Sequence, residues 1–407
     1  QRSRLWRRRL NGFKVTMFRW LRERFDGEAL GGPKRLFLDS ASTNAARMMA
    51  ESDVILSANM RKADMVWMRR RYKDIPHASR RGQLFNHLPG EAALVNKGYL
   101  TRHLQAYSES QPREPIQLSD FYPDTYHLSD SEASKRFSER VQSDGGRWVL
   151  KPVNWSRGRG VRITDDADLL IELASSTDLK DERRARAIEA FELHPERKYI
   201  AQAHLDRPLL LNGRKSEMRI YWLVVSLEPF KVLWFPTGQV RLNSLPYRDE
   251  DFDNPLVHMG NVYQQKIHPE YDPSVVLKWR FTELEEDLER RGLAQPGWLD
   301  SALRPRLRDI IAYTAHAARP GLQGDARGRH CFALLGADLM LDADLNPWLT
   351  EIQKGPGLAF KDPVKAEVVP HMFREAMSIM FEAQDKMREG EPLDDFKSRE
   401  RFEWVHR

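Results

Sequence analysis

Cysteine is almost missing from this chain: of 407 residues, only Cys331 carries a thiol. One thiol makes neither an intrachain disulfide nor a multi-cysteine zinc site. Long apolar runs are missing too, since none approaches the roughly 18 residues a membrane-crossing helix needs. The opening "QRSRLWRRRLNG" lacks the apolar centre of a signal peptide. No Walker loop, no strand-to-helix GxGxxG and no internal repeat occurs. Nor does any Ser/His/Asp or Cys/His nucleophile set; Cys331 beside His330 reads as a small buried residue next to a surface histidine. These absences leave a soluble protein of a reducing interior compartment, expected in the cytoplasm and away from membranes.

What is present is a chain long enough for a sizeable core, 41% hydrophobic and 30% charged. Its formal charge of +6 favours an acidic partner. Much of that excess is local, in "RSRLWRRR", "RWLRER", "WMRRRYKD" and "ASRRG". Such runs are more often solvated helix faces or flexible arms than binding sites. Trp6, Trp20 and Trp67 near them read as core or interface anchors, and no nucleic-acid motif accompanies them, so no nucleic-acid partner is expected.

Strand-like and helix-like segments interleave along the whole length, which places the fold in the α+β (α/β) class. A basic extension over 1–32 precedes an N-terminal α/β domain over 33–120. There "KRLFLD" and "ADMVWM" read as strands around a helix capped by Ser42 or Thr43. "FNHLPGEAALVNKGYLTRHLQAY" reads as a loop and a helix, and "SESQPREP" as a polar surface break. A smaller β-rich section follows over 121–205, interrupted by a helix in "DERRARAIEAFELHPERK". A larger one covers 206–385, with strands at 215–225 and 230–235 and a hairpin at 334–353. In its last helix Val364, Val368, Met372, Ala376 and Met380 form a core-facing stripe. A charged tail over 386–407 packs back through Phe396, Phe402 and Trp404 or meets a partner.

Three segments carry chemistry. "RWVLKPVNWSRGRGVRI" flanks a loop holding Gly158 and Gly160 with strand-like ends, and Lys151 stands just before the turn. Glycines admit close approach of backbone N–H groups to a phosphate, and a lysine adds a point charge; an ordinary hairpin would read the same. In "GRKSEMRIYWLVVS" the alternation puts Lys215, Glu217, Arg219 and Tyr221 on one strand face and Ser216, Met218, Ile220, Trp222 and Val224 on the other. The charged face suits phosphates or carboxylates if it lines a cleft, and a row of surface salt bridges if it does not. In "GADLMLDADLNPWLTEIQ" a reversal near Asp344 and Leu345 sets Asp338 opposite Glu351, with Gln353 on the same face. Facing carboxylates repel, and an all-oxygen set suits Mg²⁺; a hairpin with polar residues on a wet face would read the same. Asp342, Asp344 and Asn346 read as turn residues.

These segments resemble the tubulin tyrosine ligase-like family, whose members have an ATP-grasp fold and join an amino acid to a protein by an amide bond. The likeness runs from about Phe85 to Met377 through "FNHLPG" with "VNKGYL", "FYPDTYHL", "WVLKPVNWSRGRGV", "YIAQAHLDRPLLLNGRKSEMRIYWLV", "GQVRLNSLPY", "VHMGN" and "LLGADLMLDADLNPWLTEIQKGPGL". It implies a nucleotide held between two β-rich lobes. Lys151 and Lys215 would contact ATP phosphates under a loop of Arg157, Gly158 and Gly160. Gln202, Ala203, His204 and Leu205 would form the adenine hinge, and Asp338, Glu351 and Gln353 would hold Mg²⁺. Arg219 would bind a substrate carboxylate or acyl phosphate, completing a catalytic set with Lys151, Lys215 and Glu217, and Asn261 would assist at the phosphates or metal. Arg241 is the candidate for the side-chain carboxylate of an incoming glutamate, and an ordinary surface arginine would read the same.

The implied activity is an ATP-dependent ligase, acting as a monomer, that joins a free amino acid to a carboxylate of an acidic protein tail. Tubulin is the acceptor implied, at the cytoskeleton; glutamate comes first as donor and tyrosine next. The other reading is a catalytically silent relative that binds ATP or tubulin as a scaffold. Three departures from the family pattern bear on that choice. "KSEMR" stands where "KFDxR" is usual, which lengthens Glu217 by a methylene. "HMGN" stands for "HLTN", which removes a hydroxyl at Gly260. Gln353 stands where "ExN" places an asparagine.

Overall fold

The structure, a computed structural model, describes residues 33–39, 42–50, 52–69, 82–111, 115–156, 158–178, 180–252, 254–258, 260, 265, 268–272, 274, 277–322 and 330–405. The basic extension, Arg157 and Asn261 lie outside them. The described part is a mixed α/β structure built on three sheets.

The first sheet is parallel, in the order His330–Cys331, Leu84–Phe85, Met65–Trp67, Arg35–Leu38, Ile55–Ser57. Parallel strands need crossovers, and the helix Thr43–Met49 supplies the first. Ser42 occupies its N-cap position without capping it, because its hydroxyl donates to the Asp39 carboxylate instead. The helix Lys97–Ser110 is capped by the Asn96 side chain, which accepts from the Tyr99 N–H at 3.0 Å. It extends through Ser108, Glu109 and Ser110, where the composition had pointed to a surface break.

The second sheet is antiparallel, in the order Thr125–His127, Tyr199–Ala203, Trp148–Pro152, Arg162–Thr164. The helices Ser131–Asp144, Ala167–Ala174 and Glu182–Ala190 pack on it around Trp148, Phe137 and Leu170.

The third and largest sheet carries the strand Arg214–Leu227 between Phe230–Leu242 and Ala333–Leu341, with Pro347–Gln353 and Lys278–Trp279 as flanks. Alternation along Arg214–Leu227 has the consequence expected of a central strand. Met218, Ile220, Trp222 and Val224 enter one core with Leu307, Ile310 and Ile311 of the helix Arg304–Ala318. Tyr221, Leu223 and Val225 enter another with Met372, Phe373 and Met377 of the helix Pro363–Glu389. The charged start of the same strand, Lys215 to Arg219, projects beyond that second core and is what positions the site.

In the long helix the stripe Val364, Val368, Met372, Ala376 and Met380 is buried. The helix continues past 385 to Glu389 and stops at Gly390, whose φ of 74° is the left-handed conformation a helix end takes at glycine. The tail beyond folds back: Phe396 and Phe402 are buried, and Trp404 pairs with Leu233. No helix among the described residues is long and apolar enough to cross a membrane.

Candidate functional site

A cleft opens between the second and third sheets, with about 1130 Å³ of space when the adjoining open solvent is counted. One wall carries Lys151, Pro152, Trp155, Gly158, Val149 and Ile163; the other carries Lys215, Glu217, Arg241, Asp338, Thr350 and Glu351. Gln202, Ala203, His204 and Leu205 join the two.

Lys151 ends the strand Trp148–Pro152, so the turn that follows leaves its ammonium in the cleft, where it donates to Gln202 Oε1 at 2.6 Å. Gly158 and Gly160 in that turn have φ of 68° and 65°, which excludes most side chains. A Cβ on Gly160 would also strike the Trp155 ring at 2.9 Å. Lys215 lies opposite, 3.0 Å from His204 Nε2. Burial pushes His204 down to about 4, helped by the Lys215 charge. The imidazole is therefore neutral, accepts from Lys215 at Nε2, and donates from Nδ1 to Asp206 at 2.9 Å.

Among the described residues, neither lysine has a carboxylate at ion-pair distance. Burial pushes Lys151 down to about 8 and Lys215 down to about 7, and the Lys151 charge adds to the effect on Lys215. Each ammonium is thus opposed by a further lysine, Lys97 at Lys151 and Lys151 at Lys215, and an anion in the cleft would stabilise both charges.

The hairpin register is Asp338 opposite Glu351 and Gly336 opposite Gln353, with a bulge after Asp338. Leu345, at φ 65°, makes the reversal, and Asp342 Oδ1 accepts from the Asn346 N–H at 2.8 Å. The repulsion between the facing carboxylates is answered by cations from elsewhere. Arg219 takes Asp338 through Nε and through Nη2 at 2.6 Å, and Arg241 reaches Asp338 at 2.8 Å. Burial opposes the Asp338 charge, but the two arginines hold its carboxyl below the ordinary range. Glu351 pairs with Lys97 at 3.0 Å and accepts from the Gln353 amide.

Glu217 Oε2 accepts from Arg241 at 2.6 Å, and its Oε1 lies 2.9 Å from the Thr350 hydroxyl. Burial, with the Asp338 and Glu351 charges behind it, pushes Glu217 up to about 7. That third carboxylate is the observation that tests a divalent cation against this site. Glu217, Asp338 and Glu351 supply oxygen alone, and the charges of the other two oppose that of Glu217, so their chemistry fits Mg²⁺. Among the described residues no three histidine, cysteine or carboxylate side chains already stand as a ligand cage. The arginines and Lys97 fill that electrostatic role here.

Not every expected residue lines the cleft. Arg219 lies behind it, packed against Gly336 and reaching the Pro356 carbonyl at 3.4 Å, so its guanidinium holds Asp338 and does not face the opening. Gln353 likewise stands behind Glu351. Conversely, Lys97, Trp155, Thr350 and His258 line the cleft without having been singled out as site residues. Lys97 lies in "VNKGYL", where the signal for it was present but carried no assigned chemistry.

A cleft with a lysine on each wall and carboxylates clustered beside one of them suits a nucleotide, and the class of the protein is an ATP-dependent ligase that forms amide bonds. Residues 75–388 match the profile of the Tubulin-tyrosine ligase family, and the chain belongs to that family. It is 25% identical over 311 residues to the probable alpha-tubulin polyglutamylase Ttll1 of Tetrahymena thermophila, covering 73% of this chain and 72% of the relative. The probable tubulin polyglutamylase TTLL9 of Bos taurus is 25% identical over 317 residues, 72% and 67% of the two chains. The inactive polyglycylase TTLL10 of Homo sapiens is 26% identical over 314 residues, 73% and 44% of the two.

Proposed function

We propose that this protein joins an amino acid, glutamate ahead of tyrosine, to a carboxylate on the acidic tail of tubulin at the expense of ATP. The observation that carries the reading is the pair Lys151 and Lys215, which face one cleft from opposite walls with no carboxylate among the described residues at ion-pair distance. Relatives named as tubulin polyglutamylases support the acceptor and the donor, and imply association with the cytoskeleton.

In this reading the second and third sheets act as the two lobes of an ATP-grasp enzyme. The base lies along Gln202, Ala203, His204 and Leu205, between apolar Val149, Ile163 and Met340. Lys151 and Lys215 hold the phosphates beneath the Gly158 and Gly160 turn. Asp338 and Glu351, with Glu217 beside them, would hold Mg²⁺, which when bound neutralises charge on the transferring phosphoryl group. The acceptor carboxylate takes the terminal phosphoryl group and ADP leaves. The amine of the free amino acid then attacks the acyl carbon, forms the amide and expels phosphate. No side-chain nucleophile is needed, and the protein's part is positioning and charge neutralisation. Arg241 lies on the cleft wall where it would meet the donor's side-chain carboxylate once Asp338 and Glu217 engage the cation.

The test is ATP-dependent incorporation of labelled glutamate, tyrosine and glycine into purified tubulin, with Glu351→Ala and Asp338→Ala as controls. Incorporation of glutamate that vanishes in both variants is the expected result. A second reading, a silent scaffold, has one observation in its favour, the inactive human relative. It is the outcome if Mg-ATP binds and no amino acid is incorporated into any tubulin preparation.

A further inference from the structure

Outside the cleft, an ion pair joins the two sheets that form its walls. Arg147 immediately precedes the strand Trp148–Pro152 of the second sheet, and its guanidinium takes both oxygens of Asp249, Nη1 to Oδ1 at 2.7 Å and Nη2 to Oδ2 at 3.1 Å. Asp249 lies on the loop that follows the third sheet's strand Phe230–Leu242. A fork on a carboxylate fixes an orientation as well as a contact. The same loop is held twice more, since the Tyr247 hydroxyl donates to Asp249 Oδ1 at 2.7 Å and the Arg147 guanidinium stacks over the Phe252 ring at 4.5 Å. With Arg147 and Tyr247 both donating to it, the Asp249 carboxyl is held down to about 2 although its side chain is exposed.

That loop runs into the cleft wall. Asn243 and His258, near its two ends, both line the cleft. Between them it closes on itself: the Leu245 N–H donates to the Leu256 carbonyl at 3.2 Å and the Asn243 amide to the Val257 carbonyl at 2.6 Å. Rings carry the contact inward. Tyr247 and Phe252 stand 5.5 and 6.0 Å from the His258 ring, and the Lys215 ammonium lies 5.7 Å over the Tyr247 ring. On the other side the Arg147 carbonyl accepts the His204 N–H at 2.9 Å, so one residue touches both the loop and the segment Gln202 to Leu205.

We propose that Arg147, which stands outside the cleft, is a positioning residue for the nucleotide. Through Asp249 it locks the loop of the third sheet against the second, and the space between His204, His258 and Lys215 is set before a ligand arrives. The ligand half of the inference rests on the nucleotide reading above; the locking of the loop does not.

The experiment compares the full chain with Asp249→Asn, Arg147→Met and the two combined. Melting, Mg-ATP affinity by calorimetry and the ATP dependence of amino-acid incorporation are measured on each. Asp249→Asn neutralises an exposed partner and leaves Asp206 at 3.5 Å from Arg147, so its melting should stay within about 2 °C of the parent. Affinity for Mg-ATP should fall about tenfold in each single variant and no further in the double, because both changes remove one lock. The KM for ATP should rise in proportion while kcat at saturating ATP stays within about twofold, since the nucleotide itself then orders the loop. Unchanged affinity in both single variants, or losses that add in the double, would overturn the proposal. Affinity that falls only in step with melting would also overturn it and mark a structural pair. If the parent binds no Mg-ATP the nucleotide reading fails, and amide exchange over 243–252 decides the remainder: faster exchange in Asp249→Asn upholds the lock, and unchanged exchange removes it.

Discussion

Burial opposes the charges of Lys151 and Lys215, with Lys97 adding to it at Lys151 and Lys151 adding to it at Lys215, and the sign of their response to a ligand follows directly. Without ligand they titrate near 8 and near 7. A polyphosphate favours their charged forms, so both values rise on binding and protons are taken up between about pH 7 and 9. Calorimetry in buffers of different ionisation enthalpy should record that uptake, and affinity should fall as pH rises across the same range. Lys215→Met should weaken Mg-ATP about 10- to 100-fold, the range of a lost charge-assisted contact. Its melting temperature at pH 7 should stay level or rise, since a buried like charge is gone. Asp338 behaves oppositely. It is 2% exposed and counters two arginines, so Asp338→Asn should cost about 3–5 kcal/mol of stability by leaving those charges buried and unpaired. Glu351→Gln, whose partner Lys97 reaches other acceptors, should melt nearly as the parent does. Loss of activity in Glu351 variants therefore reports on the chemistry, whereas loss in Asp338 variants mixes chemistry with folding.

Local periodicity carried the elements well. The alternation along Arg214–Leu227 and the four-residue stripe from Val364 to Met380 depend only on which residues share a face, so the strand's two cores and the helix's buried side could be read directly. The Asp338–Glu351 register was legible for the same reason, because a hairpin's pairing follows from its turn. What answers the repulsion in that pair was not legible. Arg219 and Arg241 reach Asp338 from strands about a hundred residues away, and Lys97 arrives from a helix of the first part of the chain. Ser42 failed as a cap because an equally local carboxylate, Asp39, competes for its hydroxyl. The tail was ambiguous because its anchors, Glu382 and Glu375, lie on a distant stretch of the long helix. The buried Glu375 carboxylate accepts the backbone N–H groups of Glu400, Arg401 and Phe402, each at 2.8 Å. Glu375→Ala would leave those donors without their partner, at a cost of about 2–4 kcal/mol. Melting should fall accordingly, and proteolysis near 400–402 should accelerate first, because that stretch loses its anchor while Glu382 still holds Lys397 and Ser398.

Across the molecule the site depends on three stretches of chain meeting, and Lys97 stands where they meet. Its ammonium pairs with Glu351 of the hairpin at 3.0 Å and donates to the Trp155 carbonyl of the glycine turn at 3.0 Å. The neighbouring Asn96 side chain reaches Asn154 in the same turn. One residue on a helix of the first part thus ties the turn over the second sheet to the acidic hairpin of the third. These bonds cross the cleft's edge and bury little apolar surface, so they bear on local opening and not on the cores. Lys97→Met should therefore leave the global melting transition within about 1–2 °C, while amide exchange over 154–164 accelerates severalfold. Mg-ATP should slow that exchange in the parent, since a bound polyphosphate restrains the turn from the other side. In the variant the same ligand should bind more weakly, because it must order a turn that Lys97 no longer holds. Exchange in the turn that is unchanged by the substitution would show that Lys97 serves only as the counter-charge of Glu351, and the three stretches would then be held together by their cores alone.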